Sequence, residues 1–313
     1  MRAILVMLLK LGLAGGCLAY ALWGVDFALL GQAIMGYSPV RFAVVCVIML
    51  LLLVFPGVRL RFLCGRRLGV WSGSKASALA LGLNNVFPAK LGEIAKTVYV
   101  SRKCGFSTAK GLGLIFWERF FDVNMVLCLA ILSVGVSRDG LLIWPGLAFI
   151  VAAWLCIAGL TACPDLARAA LRLVPVERMR LFAWDFLGQL RERVGAVFFV
   201  KLGLATVFVW GSYFLVCLLC LVWVAGLELG LFEVLVTFVV AALGMAVPST
   251  PGGIGVYEAA VVFALGLFGV DKESALAAGL VMHMAQFIPV TLAGVLVMAA
   301  SGLRPGQFRK SEV

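Results

Sequence analysis

Charge and histidine are what this chain has least of, and both shortages narrow what it can do. Asp, Glu, Lys and Arg make up 13% of its 313 residues, against about 25% in a soluble globular domain. A water-soluble surface cannot be built from so little. With 64% hydrophobic residues and a mean hydropathy of +1.12, the sequence is that of an integral membrane protein. With a single histidine, His283, neither a histidine-based dyad nor a cluster of metal ligands is visible in the sequence, and no cofactor is expected. No Gly-Lys-Ser/Thr follows the glycine-rich stretch at 252–255, which excludes a P-loop nucleotide site. The one sizeable extramembrane segment, 163–196, is too short for a catalytic domain.

Nine cysteines do not form a disulfide framework, because most, including Cys17, Cys46, Cys128 and Cys156, fall in apolar runs. Cys217 and Cys220 form a C-x-x-C that would suggest redox or metal chemistry in a soluble βαβ context. Within an apolar helix they are expected to be small packing residues.

Acidic residues are also scarce, 15 against 26 Lys and Arg, for a net charge of +11. The excess is uneven. Arg59, Arg61, Arg66, Arg67 and Lys75 follow the second apolar run, a longer basic stretch covers Arg168–Lys201, and a third group lies in the tail at Arg304–Lys310. The positive-inside rule puts all three in the cytoplasm, with both termini inside. Basic flanks of this kind attract anionic lipid at about 1 kcal/mol per cation, so a membrane surface, and no nucleic acid, is the expected partner.

Apolar runs at 3–23, 41–57, 108–136, 141–162, 197–225 and 274–300 are each near the ~20 residues that a crossing helix needs. The first has no small-residue cleavage site and is read as a retained helix. Two further segments are broken: Asn84–Glu93, with Pro88 and Gly92, and Pro248–Glu258, with Pro251 and Gly255. Irregular backbone in lipid must be buried in protein or line a wet cavity. The pieces flanking the breaks, 76–87 with 89–100 and 231–247 with 254–269, suit re-entrant hairpins, although 231–269 could instead be two short crossings. The charge map makes the first enter from inside and the second from outside. The prolines lie 163 positions apart (88 and 251) and the helix starts Ser107 and Ser274 lie 167 apart, so the order span, hairpin, span is read twice, once inverted.

The expected fold is thus an all-α polytopic membrane helix bundle with two re-entrant or broken helix hairpins. One transmembrane domain covers 1–313, with repeat copies at 41–136 and 197–300. Between them, 163–196 mixes Leu166, Leu171, Leu173, Leu181, Phe182, Phe186 and Leu190 with arginines, the pattern of a cytoplasmic amphipathic segment.

Ionisable residues at membrane depth cost about 3 kcal/mol each and usually face a cavity or a partner. Glu118, Arg119 and Asp122 lie a third of the way into the 108–136 helix. Glu118 and Asp122 share a face at i,i+4, giving either a structural ion pair or an Arg119 held by carboxylates to bind an anionic headgroup. In the first hairpin, Asn84 and Asn85 offer amides, Lys90 is the phosphate candidate, and Glu93 and Lys96, one turn apart, can pair near the surface. The second half-helix points its N-terminal N–H groups at the same place. In the second hairpin Ser249 and Thr250 supply hydroxyls, while Gly252, Gly253 and Gly255 either let backbone amides approach a ligand or simply form a tight turn. Pro88, Pro248 and Pro251 are the helix breakers. Glu258 is a candidate partner for Arg119 or a proton, and His283, on a face with Gln286, is either a packing residue or a proton carrier.

With its N-x-x-x-P-x-x-x-G-E, Glu118-Arg119-x-x-Asp122 and P-S-x-P-G-G-x-G-x-x-E segments, the sequence resembles the transmembrane region of lysylphosphatidylglycerol synthetases over nearly its whole length. The resemblance is to free-standing members without the synthetase domain. It implies translocation of a lipid between leaflets of the bacterial cytoplasmic (inner) membrane; in relatives the lipid is an aminoacylated phosphatidylglycerol, and free-standing members are linked to glycolipid, hopanoid or polyprenyl-phosphate pathways. Relatives often carry an arginine in the last span where this chain has His283 or a neighbour. Without the soluble transfer domain, lysyl-lipid synthesis is not expected.

The leading expectation is a non-enzymatic carrier for an anionic-headgroup or polyprenyl-phosphate lipid, with Arg119 and Lys90 on the phosphate and Glu93, Glu118 and Asp122 orienting them. A second reading is an accessory subunit that positions a glycosyltransferase or other lipid-modifying enzyme through 163–196. An intramembrane enzyme is the weakest.

Overall fold

The computed structural model describes residues 2–65, 67–87, 91–135, 143–172, 175–191, 195–247 and 250–301. Arg66, Pro88, Lys90, Leu173, Pro248, Ser249 and the Arg304–Lys310 tail, all singled out above, lie outside the described residues. Among those described, every regular element is helical.

The helices are α1 (Arg2–Leu22), α2 (Phe27–Met35), α3 (Pro39–Leu52), α4 (Val54–Leu63), α5 (Val70–Val86), α6 (Leu91–Cys104), α7 (Thr108–Gly135), α8 (Ile143–Ala162), α9 (Pro164–Leu171), α10 (Glu177–Arg191), α11 (Ala196–Leu218), α12 (Leu231–Ala246), α13 (Val256–Gly266) and α14 (Lys272–Ala300). A π-helical turn, Leu219–Val224, extends α11, and a 3₁₀ turn, Pro251–Gly253, precedes α13. Among the described residues, four helices are long and apolar enough to cross a membrane: Pro39–Leu63, which joins α3 and α4, then α8, α11 with its π turn, and α14. A fifth is possible if α1 and α2, bent by 84°, count as one span. The expected 108–136 helix is present as α7, 28 residues long. It is less apolar than those four because Glu118, Arg119 and Asp122 lie within it.

Two boundaries differ from the sequence reading. The second span does not stop at residue 57: Pro56 sits in the first turn of α4, where a missing N–H is harmless, and the helix runs on to Leu63. Arg59 therefore belongs to a helix and not to a cytoplasmic loop. The other difference is α2, which lies in a segment left unassigned. It forms because the Asp26 carboxylate accepts the Ala28 and Leu29 N–H groups at its start, while Gly24 (φ +70°) turns the chain. The bend is tied to α14. Lys272 Nζ donates to the Tyr20 and Trp23 carbonyls at 2.8 and 2.6 Å, and Glu273 Oε1 accepts the Asp26 N–H at 3.0 Å.

Both broken segments are helical pairs. The arms of the first, α5 and α6, pack on each other, as do α12 and α13. They have 17, 14, 16 and 11 residues. At about 1.5 Å per residue, none reaches the ~30 Å of a hydrocarbon core. The first hairpin is held by backbone contact. A Cβ added to Gly82 would sit 2.8 Å from the Val290 carbonyl and 2.9 Å from Gly294 Cα, so α5 lies directly on α14. A Cβ on Gly73 would lie 3.0 Å from Gly57 Cα, which makes the same kind of contact with α4. The two hairpins meet at their tips: Gly252 of the 3₁₀ turn lies against the Asn85 carbonyl and the Phe287 ring.

Candidate functional site

Six ionisable side chains from three helices converge beside the first hairpin. Arg59 of α4 is 1% exposed. Its Nη1 donates to Asp122 Oδ1 at 2.6 Å and to Thr206 Oγ1 at 3.3 Å, and its Nη2 to Glu118 Oε1 at 2.7 Å. Lys96 of α6, equally buried, donates to both Glu118 oxygens at 2.7 and 2.6 Å. Trp210 of α11 donates its indole N–H to Asp122 Oδ1 at 3.0 Å. Arg119 completes the set, 3.2 Å from Glu118, 3.3 Å from Asp122 and 3.8 Å from Glu93. Three cations face three carboxylates, so the cluster is neutral overall. That balance lets it exist in an apolar bundle, where an unpaired charge costs several kcal/mol.

Arg119 differs from its neighbours in exposure. The side chains of Arg59 and Lys96 are 2% exposed, whereas that of Arg119 is 45% exposed. It lies at the edge of two apolar grooves. One, of about 260 Å³, runs between α7 and α8 past Phe120, Val123, Phe149 and Ile150; the other, of about 400 Å³, runs between α7 and α10 past Leu112, Phe182 and Phe186. Arg119 is the charged residue in both linings. Behind it, rings of Trp117, Phe120, Phe121, Trp154, Phe198 and Phe199 pack edge to face, with centroids 4.9 to 6.2 Å apart, and stiffen the wall.

Several sequence expectations are corrected here. Lys96 does not pair with Glu93 near the surface. It is buried against Glu118, because α6 packs on α7 and brings the two into register. Glu258 is not the partner of Arg119, which already has three carboxylates; Glu258 bonds His283 at 2.6 Å. Asn84 does not present its amide to an open site: its Oδ1 accepts the Gly92 N–H at 2.9 Å and so caps the start of α6. Asn85 bonds Thr291 Oγ1 at 2.9 Å.

The glycine-rich turn is occupied by its own chain. Gly252, Gly253 and Gly255 have φ of +68°, +75° and +89°, conformations that side chains rarely adopt. The Gly253 N–H bonds the Thr250 carbonyl at 3.0 Å and the Gly255 N–H bonds Glu258 Oε2 at 2.7 Å. Two of the amides expected to cradle a headgroup are thereby satisfied inside the turn, while Thr250 Oγ1 donates to the Ile254 carbonyl at 2.7 Å. Pro251 opens the 3₁₀ turn. Cys217 and Cys220 are buried in the apolar core.

Sequence reasoning missed Arg59, Thr206 and Trp210. The signal for Arg59 was charge balance: Glu93, Glu118 and Asp122 outnumber Lys96 and Arg119, so one more buried cation is required.

The profile of the family described as "Lysylphosphatidylglycerol synthase TM region" matches residues 7–294. The chain is also 24% identical over 228 residues to the UPF0104 membrane protein MJ1078 of Methanocaldococcus jannaschii, an alignment that covers 69% of this chain and 92% of that protein.

Proposed function

The chain belongs to the lysylphosphatidylglycerol synthase transmembrane-region family, and from that membership and the charge cluster we propose that it carries an anionic-headgroup lipid between leaflets. The observation that supports this most is the half-exposed Arg119 guanidinium at the edge of two apolar grooves, backed by charges that are sealed away. A lipid has the matching halves, a phosphate for Arg119 and hydrocarbon for the grooves. Because the cluster is neutral, a phosphate must displace one of the carboxylates on Arg119. The weakest is Glu93, at 3.8 Å, whose Oε2 is buried without a partner among the described residues. Arg59, Lys96 and Glu118 then act as a fixed frame that keeps Arg119 aimed outward. Lys90 is proposed as a second cation on the path.

The two short helical pairs are proposed as re-entrant hairpins entering from opposite leaflets, each the centre of one repeat copy. The caps support the repeat. Ser107 Oγ accepts the Lys110 N–H at the start of α7 and Asp271 accepts the Ser274 N–H at the start of α14, and the offset between these caps is within one residue of the offset between Pro88 and Pro251. Tip contact between such hairpins would place the polar path near mid-membrane.

The test is leaflet exchange of fluorescent anionic, zwitterionic and polyprenyl-phosphate lipids in proteoliposomes. Wild type is expected to accelerate exchange of at least the anionic class, and Arg119→Ala to lose that acceleration while staying folded. No acceleration for any lipid by folded protein would overturn the carrier reading and favour the accessory-subunit one.

A further inference from the structure

The second hairpin contains a buried pair that the lipid path does not use. His283 and Glu258 are 4% and 5% exposed at their side chains. His283 Nε2 lies 3.0 Å from the Gly252 carbonyl, and His283 Nδ1 lies 2.6 Å from Glu258 Oε1. A carbonyl oxygen only accepts, so Nε2 must carry a proton. Glu258 Oε2 accepts the Gly255 N–H, and a proton placed there instead would leave Oε1 and Nδ1 at 2.6 Å with no hydrogen between them. One dissociable proton is thereby confined to the line between Oε1 and Nδ1. On either atom it leaves the pair neutral, as an imidazolium with a carboxylate or as an imidazole with a carboxylic acid. Without it, a bare nitrogen faces a bare carboxylate at 2.6 Å, and the contact becomes repulsive.

Among the described residues, no cation stands in for that proton. Glu258 bonds His283 and the Gly255 N–H, and no lysine or arginine pairs with it among those residues. Tyr257 of α13 lies over the imidazole at 4.6 Å between ring centroids, its hydroxyl accepting from Gln286 at 2.8 Å. Tyr257 shares its apolar core with Cys217 and Cys220 of α11 and its π turn, and Cys46 of α3 packs against that core. From α5 the side chain near this junction is Asn85, which is uncharged. The proton is also mechanically placed. His283 joins α14 to both α13 and the Gly252 carbonyl, and Gly252 is the residue that touches the first hairpin at Asn85.

We propose that Glu258 and His283 form a one-proton binding site at the junction of the hairpin tips, and that this proton is the ion coupled to movement of the lipid. The coupling half rests on the carrier reading above; the binding half does not.

Because the chain has one histidine, ¹⁵N-histidine labelling of the whole protein in detergent or nanodiscs reports this site alone. The expected result is an Nε2 that stays protonated throughout, and an Nδ1 signal that changes in a single step as the shared proton leaves. Glu258→Gln should abolish that step. An unprotonated Nε2, or a wild-type ring that does not titrate, would overturn the site; wild type alone decides this if the variant fails to fold. The coupling half is read in the proteoliposomes. At one proton per lipid, a gradient of one pH unit should bias lipid distribution about tenfold, and His283→Gln should remove the bias while exchange at equal pH continues. Exchange indifferent to the gradient in wild type overturns coupling and leaves the carrier reading standing. Absence of any exchange removes both.

Discussion

The two hairpins face the same problem, a carboxylate inside an apolar bundle, and solve it differently. Beside the first, Glu118 is neutralised by Arg59, Lys96 and Arg119, cations supplied by three different helices. In the second, Glu258 has a histidine and a backbone amide, so its neutrality is conditional on a proton. The first site opens outward through Arg119, whereas the second is closed. On the proposed reading, paired cations suit a site that holds an anion, and a shared proton suits a site that changes state.

The largest expected effect breaks the first site. Glu118→Gln leaves Arg59 and Lys96 buried with only Asp122 between them, and it should lower stability by about 3–5 kcal/mol, seen as a sharp fall in thermal midpoint in detergent or as loss of folded protein. Gly294→Val should cost about 1–3 kcal/mol by overpacking, because it pushes α5 off α14 and unseats the first hairpin. Its effect should be independent of pH and should leave the His283 signals unchanged. Glu258→Gln should cost less than Glu118→Gln, about 1 kcal/mol, since glutamine still accepts the Gly255 N–H; a loss as large as that for Glu118 would dissolve the contrast between the two sites. The smallest structural effect belongs to Arg119→Gln. Its side chain is nearly half-exposed, so stability should fall by less than about 1 kcal/mol even as lipid exchange is lost. Thermal midpoints and exchange rates measured on one preparation separate these four.

Much of the bundle could be read from the sequence because apolar run length and proline placement act locally. The 108–136, 141–162 and 274–300 runs, both broken segments, and the Glu118/Asp122 face follow from spacing alone. What could not be read depends on which helices become neighbours. Arg59 looked like the first residue of a loop cluster, since Arg61, Arg66 and Arg67 follow it, and only packing of α4 against α5 and α11 turns it toward Asp122. Lys96 was one turn from Glu93 in sequence but faces Glu118 across α6 and α7. Glu258 and His283 are 25 residues apart on helices that each look like ordinary packing elements, and nothing local says that their side chains meet.

One helix touches both solutions. α14 holds the second hairpin through His283 and the first through Thr291 and Gly294, and Pro289 lies between those two grips. Proline lacks the N–H that would bind the Ala285 carbonyl, so the helix is softest at the point where its two loads are divided. In mechanical terms α14 has the layout of a lever with a candidate pivot: a bend at Pro289 would change the gap between the tips while each grip stayed closed, without passing through side chains in sequence.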